Sequence, residues 1–258
     1  MSARVALVTA SSAGLGAAAV KALASHFRVV VNYHSRREKA EQVIEEASKI
    51  PATYATSEND ASQPRFHAIQ ADVQQKSEIQ RLVSETVEKF GRLDVVVSNA
   101  GWTRLTNFFD LEQQVNDDDW DKCFSVNVKS HLWLLYAAKP YLEKSEGGGS
   151  FVTVASLAGV RPSGSSLPYS VTKAAEIHLM KGLAIICGKS IRCNSVSPGL
   201  MMTEWGNQFP ESKVKATTEK SALKSTATPE DVAEQIKTLV LSKSITGQNI
   251  VIDCGIAI

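Results

Sequence analysis

Val5-Ala-Leu-Val-Thr9-Ala-Ser-Ser-Ala-Gly14-Leu-Gly16-Ala-Ala-Ala-Val20 is the stretch on which the reading of the fold turns. Val5 to Thr9 is a short apolar run of the kind a buried parallel strand requires. Two closely spaced glycines follow, and then a helix whose apolar face is Ala17, Val20, Ala24 and Phe27. A strand leading through a tight turn into a helix N-terminus is an anion site, because unpaired amides and the helix dipole converge there. Ser11, Ser12, Gly14, Leu15 and Gly16 are the residues this turn offers to a phosphate.

The same alternation continues along the chain. Apolar runs at Arg28 to Val31, Phe66 to Gln70, Asp94 to Val97, Ser150 to Ala155 and Ile191 to Ser197 read as further strands, with helical patterns between them. Ile79, Leu82, Val83 and Phe90 mark one helix face, and Ser77 to Gln80 has a capping-box pattern at its start. A long helix over Trp120 to Leu142 contains Asn127, a residue unfavourable inside a helix. Its Leu132, Leu134, Leu135 and Tyr136 region is apolar nearly all round, which predicts cover from a partner subunit. Thr228-Pro229-Glu230-Asp231 is a strong helix start, with cap, proline and acids in place. Strands alternating with helices predict an α/β fold around a parallel sheet, whose sites lie beyond the carboxyl ends of the strands.

Composition narrows the function classes. The 258 residues carry 28 basic and 27 acidic side chains, a net charge of +1 that draws neither nucleic acid nor an anionic membrane. No apolar run reaches the ~18 residues of a membrane span, and the N-terminus is a strand rather than a signal peptide. Cys123, Cys187, Cys193 and Cys254 have no Cys-x-x-Cys pairing, and the five histidines lack ligand spacing, so no metal site is expected. Free thiols suit a reducing compartment. The expectation is a soluble cytoplasmic enzyme in a single domain over 1–258. The polar stretch 50–65 reads as an inserted surface loop without chemistry, and 204–227 as a substrate lid.

The second strand ends in Asn32-Tyr33-His34-Ser35-Arg36-Arg37. An acid there would accept hydrogen bonds from an adenosine ribose and repel a 2′-phosphate; none is present. Ser35 and Arg36, with Arg37 beside them, offer charge-assisted bonds to that phosphate, which favours NADP(H), with NAD(H) as the alternative. Asp72 and Val73 follow the third strand, and Asp72 can cap the next helix. Asn99, Ala100 and Gly101 follow the fourth, where Gly101 lets backbone approach a ligand. Tyr169 and Lys173 stand four apart on a helix predicted from Tyr169 to Leu183, so both project from one face. A phenol ionises near pH ~10, and a cation one turn away favours its anion. Ser156 ends the fifth strand, where its hydroxyl can hold a carbonyl beside that phenol.

With these motifs in place, the whole chain resembles the short-chain dehydrogenase/reductase family in its single-domain form, and is similar to 3-oxoacyl-ACP-reductase-like members. The resemblance implies a Rossmann-type three-layer sandwich, doubly wound around about seven parallel strands. It makes Asn127, Ser156, Tyr169 and Lys173 the catalytic group. Tyr169 and Lys173 also contact the cofactor, joined by Pro198, Gly199 and Thr203 from Pro-Gly-x-x-x-Thr. In the family the asparagine distorts its helix and leads protons from the lysine to solvent. The implied reaction is hydride exchange between NADP(H) and a ketone or secondary alcohol, with Tyr169 as general acid and base. The implied assembly is a homodimer or homotetramer. A catalytically silent sensor or scaffold of the same fold is the alternative. Trp102, Arg104, Leu157, Val160, Trp205 and Phe209 are candidates for the substrate pocket. Three positions depart from the family pattern: Ala10 and Cys254 replace glycines and Ser98 replaces an asparagine. Alanine at position 10 is expected only with a negative φ.

Overall fold

The computed structural model describes residues 3–54 and 63–258. Seven strands form one all-parallel sheet in the order β3-β2-β1-β4-β5-β6-β7. They are β1 Val5–Val8, β2 Arg28–Tyr33, β3 Phe66–Gln70, β4 Val95–Ser98, β5 Gly149–Val154, β6 Ile191–Pro198 and β7 Asn249–Ile252. Strands β1 to β6 send apolar side chains into both helical layers, whereas β7 packs Ile250 and Ile252 on one and leaves Val251 exposed. Val5 and Leu7 join Val30, Val96 and Phe151 on one side. Ala6 and Val8, one step out of phase, join Val29, Val31, Val97 and Val152 on the other. Burying each valine or leucine contributes about 1.5–3 kcal/mol, so the alternation is strongly enforced.

One helical layer holds α1 Gly14–Leu23, α2 Arg37–Ser48 and α9 Pro229–Leu241. The other holds α3 Lys76–Phe90, α5 Ser130–Leu142 and α7 Leu167–Cys187. The order reverses at β1, which lies between β2 and β4, so a crevice opens above the ends of β1 and β4. Thr9 bridges it: its hydroxyl accepts from the backbone N–H of Asn99 at 2.9 Å and of Ala100 at 3.3 Å.

Several local expectations need correcting. The capping box at Ser77 is not used, because α3 starts one residue earlier with Gln75 extended before it and no side-chain cap. Asp72 does not cap that helix either; its carboxylate accepts from the N–H of Gln74 in a tight turn at 2.9 Å. The helix expected over Trp120 to Leu142 is α4 Asp117–Phe124, a π-helical turn Ser125–Lys129 and α5. The Tyr169 helix runs longer, from Leu167 to Cys187, because Ser166 caps it and Pro168 fits its first turn. Thr228 caps α9 as expected, accepting from the N–H of Asp231. Ala10 has φ +49°, contrary to the negative value expected, and Cys254 has +58°. The backbone keeps a left-handed turn at both places and the side chains accept the strain. Of the loop expected over 50–65, residues 55–62 lie outside the described residues.

Candidate active site

The glycine turn is as tight as a backbone allows. A Cβ on Gly16 would stand 2.5 Å from the Ala10 carbonyl oxygen and 2.7 Å from Asn99 Nδ2. Asn99 holds the turn from the neighbouring strand by donating to the carbonyls of Thr9 and Ala10, both at 3.1 Å. Asn32 holds it from the other side, accepting from the N–H of Ala10 at 3.0 Å while its amide donates to Ile69 and Ala71 carbonyls. Ser11 is fully buried, with its hydroxyl donating to Val8 and its N–H to Asn32. Asn32 and Ser11 therefore brace the turn, and Asn32 also lines the cavity beside it. Ser12, Ser35, Arg36, Asp72, Ala100 and Gly101 face a shared cavity of about 290 Å³, which Val73 also lines.

Beside the Ser35–Arg36 end of this cavity stands a second cation, Lys39, and both pair with the same carboxylate. Glu204 receives hydrogen bonds from both Arg36 and Lys39, although it lies 168 and 165 residues away. Those bonds, Lys39's first, hold its carboxyl down to about 2. Arg37 turns away and pairs with Glu41 on its own helix. Lys39 stands only three residues beyond Arg36, on the first turn of α2, but Glu204 could be reached only through the third dimension. Thr203 packs against the turn, 3.6 Å from a Cβ built on Gly14. Gly199 anchors the end of β6 by donating to the Ile252 carbonyl at 2.9 Å, directly after Pro198.

The four residues expected to be catalytic converge at the mouth of β4 and β5. Ser156 caps the short helix α6 Leu157–Val160, where its oxygen accepts from the N–H of Ala158 at 3.1 Å. A Cβ on Gly159 would stand 2.5 Å from the Lys173 carbonyl carbon, so this glycine lets α6 dock directly on the Lys173 backbone. Tyr169 is half-buried on the first turn of α7, and the Lys173 Nζ stands 5.7 Å from its ring centre. Asn127 sits inside the π-turn, fully buried, accepting from the N–H of Trp102 at 2.8 Å and donating to its carbonyl and to the Thr172 hydroxyl. The helix distortion at this asparagine is thus real, and its side chain clamps the loop after Gly101. A Cβ on Gly101 would stand 3.5 Å from Lys173 Nζ and 3.6 Å from Asn127 Oδ1, so bare backbone faces these two side chains.

Lys173 differs from its expectation in one respect. It is 2% exposed, and its ammonium donates to the Val154 carbonyl at 2.7 Å and to Glu176 Oε2 at 2.8 Å. One of its three N–H groups is left for a ligand. Burial works against the ammonium, yet the Glu176 carboxylate, with Tyr169 behind it, holds it above its ordinary value. Glu176 is fully buried too; burial alone would raise its carboxyl, but Lys173 and then His131 bring it below the usual range. Nearby, burial pushes the Cys123 thiol up to about 11. Glu176 and His131 escaped the sequence reading because each reads as one polar residue on an apolar helix. Their spacing from Lys173 and Asn127, three and four residues, was the available signal.

Of the candidate pocket residues, Leu157 is buried, Arg104 pairs with Asp119 and Trp102 lies under Lys122 at 4.5 Å. Phe209 stacks with Lys213, whose ammonium reaches the Gly164 carbonyl at 2.8 Å, next to the Tyr169 ring. Among the described residues no helix is long and apolar enough to cross a membrane, and no group of acids, histidines and cysteines could hold a metal.

A family model described as Enoyl-(Acyl carrier protein) reductase matches residues 9–257. The chain is 36% identical over 254 residues to a Streptomyces violaceoruber protein described as ketoacyl reductase 2 of the granaticin polyketide synthase, covering 97% of this chain and 95% of that one. It is 31% identical to a 7alpha-hydroxysteroid dehydrogenase of Bacteroides fragilis, covering 99% and 95%. A crystal structure of a short chain dehydrogenase from Burkholderia cenocepacia in complex with NADP superposes with a TM-score of 0.85 at 30% identity, covering 100% of this chain and 99% of that one.

Proposed function

Because the chain belongs to the short-chain dehydrogenase/reductase family, and is an oxidoreductase of keto and hydroxyl groups using a nicotinamide dinucleotide, we propose that it is an NADP(H)-dependent ketone reductase with Tyr169 as its acid and base. The observation that carries this is the meeting of Lys173 and Asn127 at the bare backbone of Gly101, with the Tyr169 ring beside the Lys173 ammonium and Ser156 just past the end of β5, whose Val154 carbonyl that ammonium binds. The cradle fits the cofactor: a turn with no room for a Cβ at Gly16, open backbone at Gly101, and a basic tip at the adenosine end. Ser12, Gly14, Leu15 and Gly16 would hold the pyrophosphate; Asp72 and Val73 would hold the adenine. Ala100, Gly101 and Lys173 would hold the inner ribose, and Pro198, Gly199 and Thr203 the nicotinamide end. When bound, the cofactor supplies or accepts a hydride.

The chain's own groups do the rest. Ser156 orients the substrate oxygen, and Tyr169 gives it a proton or takes one. The Lys173 ammonium stabilises negative charge on the phenol oxygen. Asn127 supports a proton path from Lys173 outward. Arg36 and Lys39 supply two cations for a 2′-phosphate, which supports NADP(H) over NAD(H). Residues 204–227 act as a lid tied at two points, by Glu204 on the cofactor side and by Lys213 on the Tyr169 side.

The substrate class we favour is a keto group on an acyl chain or polyketide-like ring, in keeping with the ketoacyl reductase relative. The single domain works as a homodimer or homotetramer. Ile185 and Ile186 on α7 are 85% and 75% exposed and Tyr136 on α5 is 69% exposed, so both helices present uncovered apolar faces. The four cysteines are free thiols, in keeping with a cytoplasmic enzyme. A panel of ketones assayed with NADPH and NADH separately tests this reading. Ketone-dependent oxidation of NADPH, faster than of NADH, is expected. Cofactor binding without turnover of any ketone would instead favour a silent sensor.

A further inference from the structure

Behind Lys173 lies a second layer of polar side chains that hydride exchange does not itself require. Glu176, on the next turn of α7, and His131, on the first turn of α5, are both 0% exposed, and Ser98 at the end of β4 is 2% exposed. The Ser98 hydroxyl and His131 Nδ1 are 2.6 Å apart. With that hydroxyl donating, the proton of the ring sits on Nε2, which faces Glu176 Oε2 at 3.5 Å without forming a hydrogen bond of normal geometry. Glu176 Oε2 also takes the Lys173 bond, while its Oε1 has no hydrogen-bond partner. A cation and a carboxylate buried together in the sheet's shadow are costly to desolvate, and their removal from water demands a reason.

We propose that Glu176, backed by His131 and Ser98, is a positioning residue for Lys173: its carboxylate keeps the ammonium charged and fixed beside Tyr169 although the lysine is closed off from water. The proposal rests on the reading of Tyr169 and Lys173 given above and extends it to a three-residue support. Desolvation opposes the charged lysine, and buried lysines without a counter-ion are known to lose their proton near neutrality. The groups facing the ammonium are Glu176 and Tyr169 from its own helix and Cys123 from α4, with His131 from α5 behind the carboxylate. Among these, Glu176 is the sole carboxylate in contact. Without it, Lys173 becomes an ordinary buried amine, and the phenol loses its cation.

The test reads lysine charge directly. The full chain, labelled with ¹³C at lysine Cε, is titrated by NMR without cofactor, the Lys173 signal being identified by its loss in Lys173→Arg. In the wild type that signal should stay in its charged position through pH ~10. In Glu176→Gln its midpoint should fall by at least about one pH unit, with Glu176→Asp in between. In parallel, the rising limb of alcohol oxidation against pH should move to higher pH in the same order, wild type, Asp, Gln. A Lys173 midpoint that does not fall in Glu176→Gln overturns the proposal, as does an oxidation limb that stays put or moves to lower pH. Should Glu176→Gln not fold, Glu176→Asp decides alone: an unmoved midpoint overturns it and a fall supports it. The NMR titration needs no turnover, so a chain whose Tyr169→Phe variant kept full activity would refute the catalytic reading while leaving the lysine result to stand or fall separately.

Discussion

Two carboxylates in this molecule each hold a cation of the site, and they do so under opposite conditions. Glu204 pairs with Arg36 and Lys39 at the rim, where all three side chains are between 42% and 55% exposed. Glu176 pairs with Lys173 where neither exceeds 3%. At the rim, water and salt screen the attraction, and a phosphate can compete for the same cations at little cost. In the interior nothing can replace the carboxylate, and losing one partner strands the other. The rim pair suits a contact that exchanges during a catalytic cycle. The interior pair suits a fixture.

The largest effect should come from the interior side. Replacing Tyr169 by Phe removes the group proposed to exchange a proton with the substrate, and kcat should fall by at least about 10³-fold while the cofactor dissociation constant, read by fluorescence, barely changes. Retention of turnover would sever the link between the buried lysine and any chemistry.

Glu176→Leu comes next. Stranding the Lys173 ammonium should lower unfolding free energy by about 3–5 kcal/mol in denaturant titrations. The pH dependence has a defined sign. Glu176 titrates lower in the folded chain, so its contribution is present above the unfolded carboxyl value of ~4.3 and is lost as pH falls through the folded one. Lys173 titrates higher, so its contribution is present below ~10.4 and is lost as pH rises through its folded value. From ~4.3 up to the pH at which Lys173 of the variant loses its proton the margin should be nearly constant; above that pH it should shrink, because the variant's unfolded chain still holds the proton up to ~10.4. A margin that vanished at pH 7 would show that the pair is not ionised.

At the rim, Glu204→Gln should leave the melting temperature unchanged and lower KM for NADPH severalfold, because Arg36 and Lys39 are freed for the phosphate. The gain should shrink in high salt. An equal gain for NADH would mean that Glu204 hinders the ribose rather than the phosphate.

These contrasts also mark what could be read before the fold was known. The strands were legible because apolar runs on both faces of a sheet leave few alternatives. Their C-terminal motifs were legible because tight turns and close approaches restrict residue type, as Gly16 shows. What escaped were pairings across the third dimension. Glu204 belongs to a segment far from Arg36 in sequence, and Glu176 looks like any charge on a helix until its burial is seen. The strain at Ala10 and Cys254 escaped for a different reason: the backbone turn is set by the strands around it, and a residue other than glycine gives no sign of a positive φ.

That strain gives the smallest of the expected effects. Ala10→Gly should raise stability by about 1 kcal/mol or less, the relief at φ +49° being partly offset by the added freedom of the unfolded chain. A thermal melt would show a rise of a few degrees at most. A fall would mean that the Ala10 methyl packs usefully in the turn.

The claim beneath both halves of the comparison is that a dinucleotide and a carbonyl meet over Gly101 for direct hydride exchange. NADPH with both hydrogens of the transferring carbon replaced by deuterium, incubated with a turned-over ketone and the wild-type chain, measures it. The account predicts an alcohol with one deuterium on the carbinol carbon from one face only, and none from Tyr169→Phe. An alcohol without deuterium, or with deuterium on both faces, would contradict it.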